Sequence, residues 1–170
     1  MLPKTPSFRL DGKSALVAGG SRGIGLGCSM ALAEAGADVL IAARSREQVD
    51  DATAQISSAG YNARGLALDV TDQTGVRDVF KTSGPFDVLV NSAGIARHGS
   101  PFETTYEDFD AVMNVNVRAA FFLAQEAARG MQSLGGGSII QISSQMGHVG
   151  GQDRAVYCGS KHAIEGFNKA

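Results

Sequence analysis

The sequence predicts an α/β protein built on a doubly wound parallel sheet, and three observations predict it. Short apolar runs alternate with segments of helical composition along the whole chain. The runs are apolar enough to be covered on both faces, as strands in the middle of a parallel sheet are. A cluster of glycines follows the first run and opens the first helix, which marks a tight strand-to-helix turn.

Each element follows in order. Ser14 to Ala18 (SALVA) ends in glycines, and Ile24 to Ala35 is then rich in Ala and Leu, which gives strand, turn and helix. Gly36 suits a helix stop, and Asp38 to Ala43 (DVLIAA) reads as a second buried strand. Ser45 with Gln48 forms a capping-box signature for a helix reaching about Ala59, closed by Gly60. Ala63 to Val70 is predicted as the third strand, Thr71 as the cap of a short helix to about Lys81, and Asp87 to Asn91 (DVLVN) as the fourth strand. Thr105 to Leu134 is predicted mostly helical until Gly135-Gly136-Gly137 breaks it. Ser138 to Ser143 (SIIQIS) is the fifth strand, and a last helix begins near Ala155. No repeat or low-complexity linker interrupts the series, so residues 1–170 are read as one domain.

Bulk properties narrow the function. A net charge of -2 with scattered Lys and Arg leaves no basic footprint for nucleic acid or an anionic membrane surface. Met1 to Leu10 contains Pro3 and Pro6 and no apolar block of a signal sequence, and no apolar run elsewhere could span a bilayer, so a cytoplasmic location is expected. Cys28 and Cys158 stand far apart and are expected as free thiols. His98, His148 and His162 lack metal-ligand spacing, so no metal is expected. Glu103, Glu107, Asp108 and Asp110 gather at a predicted helix start, where acids suit the helix dipole without any catalytic role.

Doubly wound sheets bind ligands beyond the carboxyl ends of their strands. Gly19, Arg44, Asp69, Asn91, Ser143 and Ser144 all fall at or just past predicted strand ends. The turn Gly19-Gly20-Ser21-Arg22-Gly23-Ile24-Gly25 has the spacing G-x-x-x-G-x-G. Glycine there admits a pyrophosphate to the backbone, and the helix N-terminus offers free N–H groups and partial positive charge. Gly19, Ser21, Arg22, Gly23, Ile24 and Gly25 are therefore candidate ligands of a dinucleotide on a Rossmann-type sheet. The second strand ends in Arg44, and its one acid, Asp38, stands at the opposite end. A guanidinium at this place, with Arg22 as a second, suits a 2′-phosphate, so NADP(H) is expected over NAD(H). Tyr157 and Lys161 are four residues apart on a predicted helix and share a face. An ammonium beside a phenol favours the phenolate, which brings a group titrating near about 10 toward the working range.

Gly19, Gly23 and Gly25, with Asn91-Ser92-Ala93-Gly94, Ser144, Tyr157 and Lys161, resemble the short-chain dehydrogenase/reductase family in joint order and spacing. The resemblance covers Asp11 to Ala170, with one departure at Ala18, where the family usually has Thr. It implies an oxidoreductase that interconverts a carbonyl and an alcohol on a small-molecule substrate, with hydride supplied by NADP(H). The implied catalytic set is Asn116, Ser144, Tyr157 and Lys161. Tyr157 handles the proton, Lys161 stabilises the phenolate and binds nicotinamide ribose, and Ser144 polarises the carbonyl. Asn116 holds a relay water through an irregularity in its helix. The thirteen-residue interval to Tyr157 selects Ser144 over Ser143, which alternation along Ile140 to Ser143 keeps in the strand. Family spacing and the nearby Phe121-Phe122 select Asn116 over Asn114. Asp69 and Val70 resemble the pair that meets adenine, and Asn91, Ala93 and Gly94 resemble the segment beside the cofactor.

The resemblance also implies that Gln145 to Arg154, with Met146, His148 and Val149, forms one wall of the substrate pocket. It further implies a homo-oligomer built on the helices Asp108 to Leu134 and Tyr157 onward. The last helix runs into Ala170 with no glycine stop, whereas the dinucleotide fold needs at least one further strand, so C-terminal strands are expected to be missing. An isolated 170-residue piece is accordingly expected to be poorly soluble or inactive. Three rival readings share these residues: an NADP-binding regulator without turnover, a reductase specific for 3-oxoacyl thioesters, and a sugar-nucleotide epimerase.

Overall fold

A computed structural model describes residues 7–170, so the reading of Met1 to Leu10 as free of a signal block lies partly outside the described residues. Five parallel strands line up in the order β3-β2-β1-β4-β5. They are β1 (Ser14–Ala18), β2 (Asp38–Ala43), β3 (Ala63–Ala67), β4 (Val88–Asn91) and β5 (Ser138–Gln141). Between them run α1 (Gly23–Glu34), α2 (Arg46–Ser58), α3 (Gln73–Ser83), α4 (Tyr106–Met113) and α5 (Ala120–Ser133), and α6 (Ala155–Lys169) follows β5. The Rossmann-type fold expected from the alternation is the one observed.

Strand alternation divides the core into two apolar layers. Leu16 and Ala18 of β1 and Leu40 of β2 pack with Val76 and Val79 of α3 and Leu123, Ala127 and Met131 of α5. Ala15 and Val17 turn the other way and meet Ala33 of α1 and Ala52 and Ile56 of α2. Helices thus cover both faces; β1 is buried from Ala15 onward and β4 throughout. Fully burying one such Leu or Ile side chain contributes about 1.5–3 kcal/mol, which is why these strands tolerate almost no polar residue. The winding switches from one side of β1 to the other at β4, and the two parallel strands pair in register from Ala15↔Val88 to Ala18↔Asn91. A cleft opens at the carboxyl ends of these two strands, as sheet topology requires.

Three local expectations are corrected. The third strand stops at Ala67, because its partner β2 ends at Ala43 and the register closes at Ala43↔Ala67. Asp72, not Thr71, caps α3, its carboxylate accepting from the N–H groups of Thr74 and Gly75 at 3.0 and 3.1 Å. Thr71 instead donates both its N–H and its hydroxyl to Asp69. The fifth strand stops at Gln141, opposite Asn91, so Ser143 is not a strand residue. The long helix does begin at the Thr105 cap, whose hydroxyl accepts from Asp108 N at 3.1 Å. It is interrupted at Asn114–Ala119 by a wider, π-helical turn.

Candidate active site

The floor of the cleft is the glycine turn between β1 and α1. Gly19 takes φ +73, and a Cβ on it would stand 2.7 Å from Ala93 N, so the turn lies flush against the segment after β4. A Cβ on Gly25 would collide with the Gly19 carbonyl oxygen, which leaves glycine as the one residue that closes the turn. Arg22 at the N-cap of α1 makes no side-chain cap hydrogen bond, and α1 has no acid in its first turn. The helix N-terminus therefore presents its amide groups and partial positive charge to the cleft.

The cleft encloses about 620 Å³. Gly19, Ser21, Arg22, Gly23 and Ile24 line it from the turn, Arg44 from the end of β2, and Asp69 and Val70 from beyond β3. Ala93 and Gly94 line it from beyond β4, and Tyr157 and Lys161 from α6. Burial pushes the Asp69 carboxyl upward, but the Thr71 N–H and hydroxyl, with the Arg44 charge, hold it below the ordinary range overall. It stays a carboxylate acceptor.

Lys161 is 7% exposed, and its ammonium donates to the Ile142 carbonyl at 2.7 Å. The ammonium lies 5.8 Å from the centre of the Tyr157 ring. Burial lowers the Lys161 pKa, because desolvation penalises the charged form. One turn of α6 therefore brings a cation and a phenol to the same wall, as their spacing predicts.

Four sequence-predicted residues do not reach the wall. Gly25 lies beneath the turn, and Asn91 is buried, donating to Gln141 Oε1 at 2.8 Å and accepting from Ala93 N at 3.2 Å. Asn116 sits in the π-helical turn and is buried, whereas Asn114 is exposed. Its side chain accepts from Ile95 N and donates to Ile95 O, each at 2.9 Å, and also donates to Ser160 Oγ at 3.1 Å. Ser160 Oγ in turn donates to the Tyr157 carbonyl at 2.7 Å. Asn116 thus ties the cleft segment at Ile95 to the helix bearing Tyr157, with its side-chain amide fully engaged. The Ser144 hydroxyl accepts from Met146 N at 3.1 Å and opens the short turn Gln145–Gly147. A hydroxyl that accepts one bond keeps its own proton to donate, but it is the neighbouring Ser143, not Ser144, that lines the cleft.

Sequence reasoning missed several wall residues, among them Ser45, Gln48, Ile95, Val115 and Ile142. Ser45 and Gln48 could have been found, since Ser45 follows Arg44 directly and Gln48 lies in the first turn of the helix that Ser45 caps. Ile95, Val115 and Ile142 are ordinary apolar residues placed by tertiary packing alone. Among the described residues no three His, Cys, Asp or Glu side chains come together as metal ligands. Nor is any helix among them long and apolar enough to cross a membrane.

A sequence model described as short chain dehydrogenase matches residues 13–170. The chain belongs to the short chain dehydrogenase family. Among its relatives in that family, gluconate 5-dehydrogenase of Gluconobacter oxydans is 38% identical over 95% of this chain and 65% of the relative. Versicolorin reductase 1 of Aspergillus parasiticus is 41% identical over 95% of this chain and 63% of the relative. The solved gluconate 5-dehydrogenase of Burkholderia cenocepacia, in complex with NADP and tartrate, superposes with a TM-score of 0.89. It is 35% identical, over 96% of this chain and 66% of that one. The chain therefore spans just under two thirds of the length of these dehydrogenases and reductases.

Proposed function

We propose that this chain carries the cofactor cradle and the proton-transfer groups of an NADP(H)-dependent oxidoreductase that interconverts a carbonyl and an alcohol. One observation carries the reading. Tyr157 and the buried ammonium of Lys161 face the same cleft as the glycine turn. A cofactor-binding regulator has no use for that pair, and no observation favours an epimerase or an acyl thioester in particular.

The residues present fit a dinucleotide. The glycine turn is a cradle that a Cβ at Gly19 or Gly25 would fill, and the uncapped start of α1 suits a pyrophosphate. Asp69 and Val70 would take the adenine end, and Tyr157 and Lys161 the nicotinamide ribose. Arg22 and Arg44 would hold a 2′-phosphate, and the acid of β2, Asp38, is paired with Arg64 at 3.2 Å at the other end of the strand. The solved relative from Burkholderia cenocepacia holds NADP, which supports the same choice.

The bound nicotinamide supplies or accepts the hydride. The chain's own residues handle the oxygen of the substrate. Tyr157 donates a proton to the oxygen as charge develops on it, and recovers the proton in the oxidative direction. Lys161 stabilises the resulting phenolate, held in place by the Ile142 carbonyl. Ser144 donates a hydrogen bond from its hydroxyl to the same oxygen and keeps its proton. Asn116 acts as a positioning residue that fixes Ile95 and α6 relative to one another. Phe121 of α5 and Phe167 of α6 are exposed and touch at 5.2 Å between centroids, and we read this face as the place where a second copy associates.

The test is NADPH consumption by the full gene product across simple ketones, sugars and acyl thioesters. Turnover of at least one class, with NADPH favoured over NADH, is expected. Tight NADPH binding with no turnover of any class would hand the site to the regulator reading.

A further inference from the structure

His98 belongs to no part of the cofactor cradle, and among the described residues it makes no hydrogen bond or ion pair. Its imidazole stands edge-on to the Tyr157 phenol, with centroids 5.6 Å apart and planes at 88°. The loop bearing it is fastened on both sides of His98. Asn116 holds both backbone groups of Ile95, and Gly99 N donates to Asp153 O at 2.9 Å, just ahead of α6. The ring also lines a polar hollow of about 210 Å³ with Ser100, Glu103, Thr104 and Val156.

We infer that His98 is a specificity residue of this site, hydrogen-bonding a hydroxyl on the carbon next to the reacting one. The preferred substrates are then α-hydroxy ketones and the corresponding vicinal diols. The inference rests on the reading that Tyr157 protonates a carbonyl oxygen. The imidazole stands against the Tyr157 ring, so an oxygen within about 2.6–3.2 Å of the Tyr157 hydroxyl puts substituents on the neighbouring carbon on a short path toward it. A neutral imidazole carries one donor and one acceptor, and a hydroxyl is both, so either ring orientation serves. The adjacent hydroxyl is bound and not transformed.

Charge in the hollow separates a hydroxyl from a carboxylate. Arg97, the cation of this loop, faces Asp108 at 3.5 Å, which cancels it locally. Glu103 then leaves the hollow with an acid that repels a carboxylate and accepts from a hydroxyl. A pocket that hydrogen-bonds a substrate hydroxyl discriminates strongly against the analogue lacking it, because its polar groups are then left unpaired.

The experiment compares kcat/KM of the full gene product for acetoin, 2-butanone and pyruvate, in the wild type, His98→Ala and His98→Gln. The wild type is expected to favour acetoin over 2-butanone by at least about tenfold. His98→Ala should bring that ratio to within about threefold, and His98→Gln, which keeps a donor and an acceptor, should restore part of it. A wild-type ratio near one, a ratio unchanged in His98→Ala, or a preference for pyruvate over acetoin overturns the inference and leaves the carbonyl reading standing. No NADPH consumption with any of the three, alongside none in the wider carbonyl screen, overturns that reading, and the inference falls with it.

Discussion

Replacing Gly25 by Ala isolates the claim that the cradle is closed by backbone lying on backbone. The new methyl would collide with the Gly19 carbonyl oxygen and stand 2.8 Å from its carbon and 3.1 Å from Gly20 Cα. All three are main-chain atoms, so no side-chain rotation relieves the contact and the turn itself must open. Overpacking of a close-packed site costs about 1–3 kcal/mol, and a purely main-chain clash belongs at the upper end. For a domain of this size, 3 kcal/mol lowers Tm by roughly 6–12 °C. Gly27 is the internal control, since it lies two residues further along α1 with nothing within 4 Å of its Cβ position. Gly27→Ala should gain about 0.5–1 kcal/mol, the helix-interior difference between the two residues. Thermal unfolding by circular dichroism, with and without NADPH, reads both variants. The expected pattern is a large Tm loss and no NADPH shift for Gly25→Ala, against a small gain and a wild-type shift for Gly27→Ala. A Gly25→Ala protein with wild-type Tm and an intact NADPH shift would refute the reasoning, as would equal losses for the two variants.

Three further outcomes follow from other parts of the structure. Asn116→Leu strands the Ile95 N–H and carbonyl, and urea unfolding should show a loss of about 2–4 kcal/mol. Arg44→Ala should lower the NADPH-to-NADH affinity ratio at least about tenfold in fluorescence titrations, with the loss confined to NADPH. Asp87 accepts from Lys13 Nζ at 2.8 Å and from Ser14 N at 2.9 Å, and Lys13 first, then Ser14, hold its carboxyl below the ordinary range against burial. Because the folded pKa is depressed, this stability is fully present above the unfolded value of about 3.9 and is lost as pH falls through the folded value. Asp87→Asn should therefore trail the wild type by about 1–2 kcal/mol at neutral pH, with the gap closing in acid. A gap that stays constant down to low pH would contradict the assignment.

Most of the architecture is legible in the sequence because its signals are local. The glycine turn, the Ser45 cap accepting from Gln48 N at 3.3 Å and the glycine stops at Gly36 and Gly60 each act within a few residues. What local signals miss is set by neighbours. Leu68 to Val70 and Ile142 to Ser143 continue in strand-like composition, yet β3 and β5 end where β2 and β4 have no further residues to pair. Thr71 and Asp72 are both good caps, and the outcome depends on Asp69 being placed to occupy Thr71. The site divides along the same line. Motif residues such as Tyr157 and Lys161 carry their own chemistry and are found, whereas Ile142 contributes only a carbonyl, which no side chain advertises. The ring contact between His98 and Tyr157 bridges residues 59 apart in sequence and has no local signature.

The central claim is that the Tyr157 phenol transfers the proton in a cleft built for NADP(H). The most direct measurement is single-turnover oxidation of bound NADPH by a carbonyl substrate, in the wild type and in Tyr157→Phe. The account predicts that Tyr157→Phe, losing one contact to the nicotinamide ribose, still binds NADPH within about tenfold of the wild type but oxidises it about 10²–10⁴-fold more slowly. A Tyr157→Phe protein that turns over within a few-fold of the wild-type rate would contradict it.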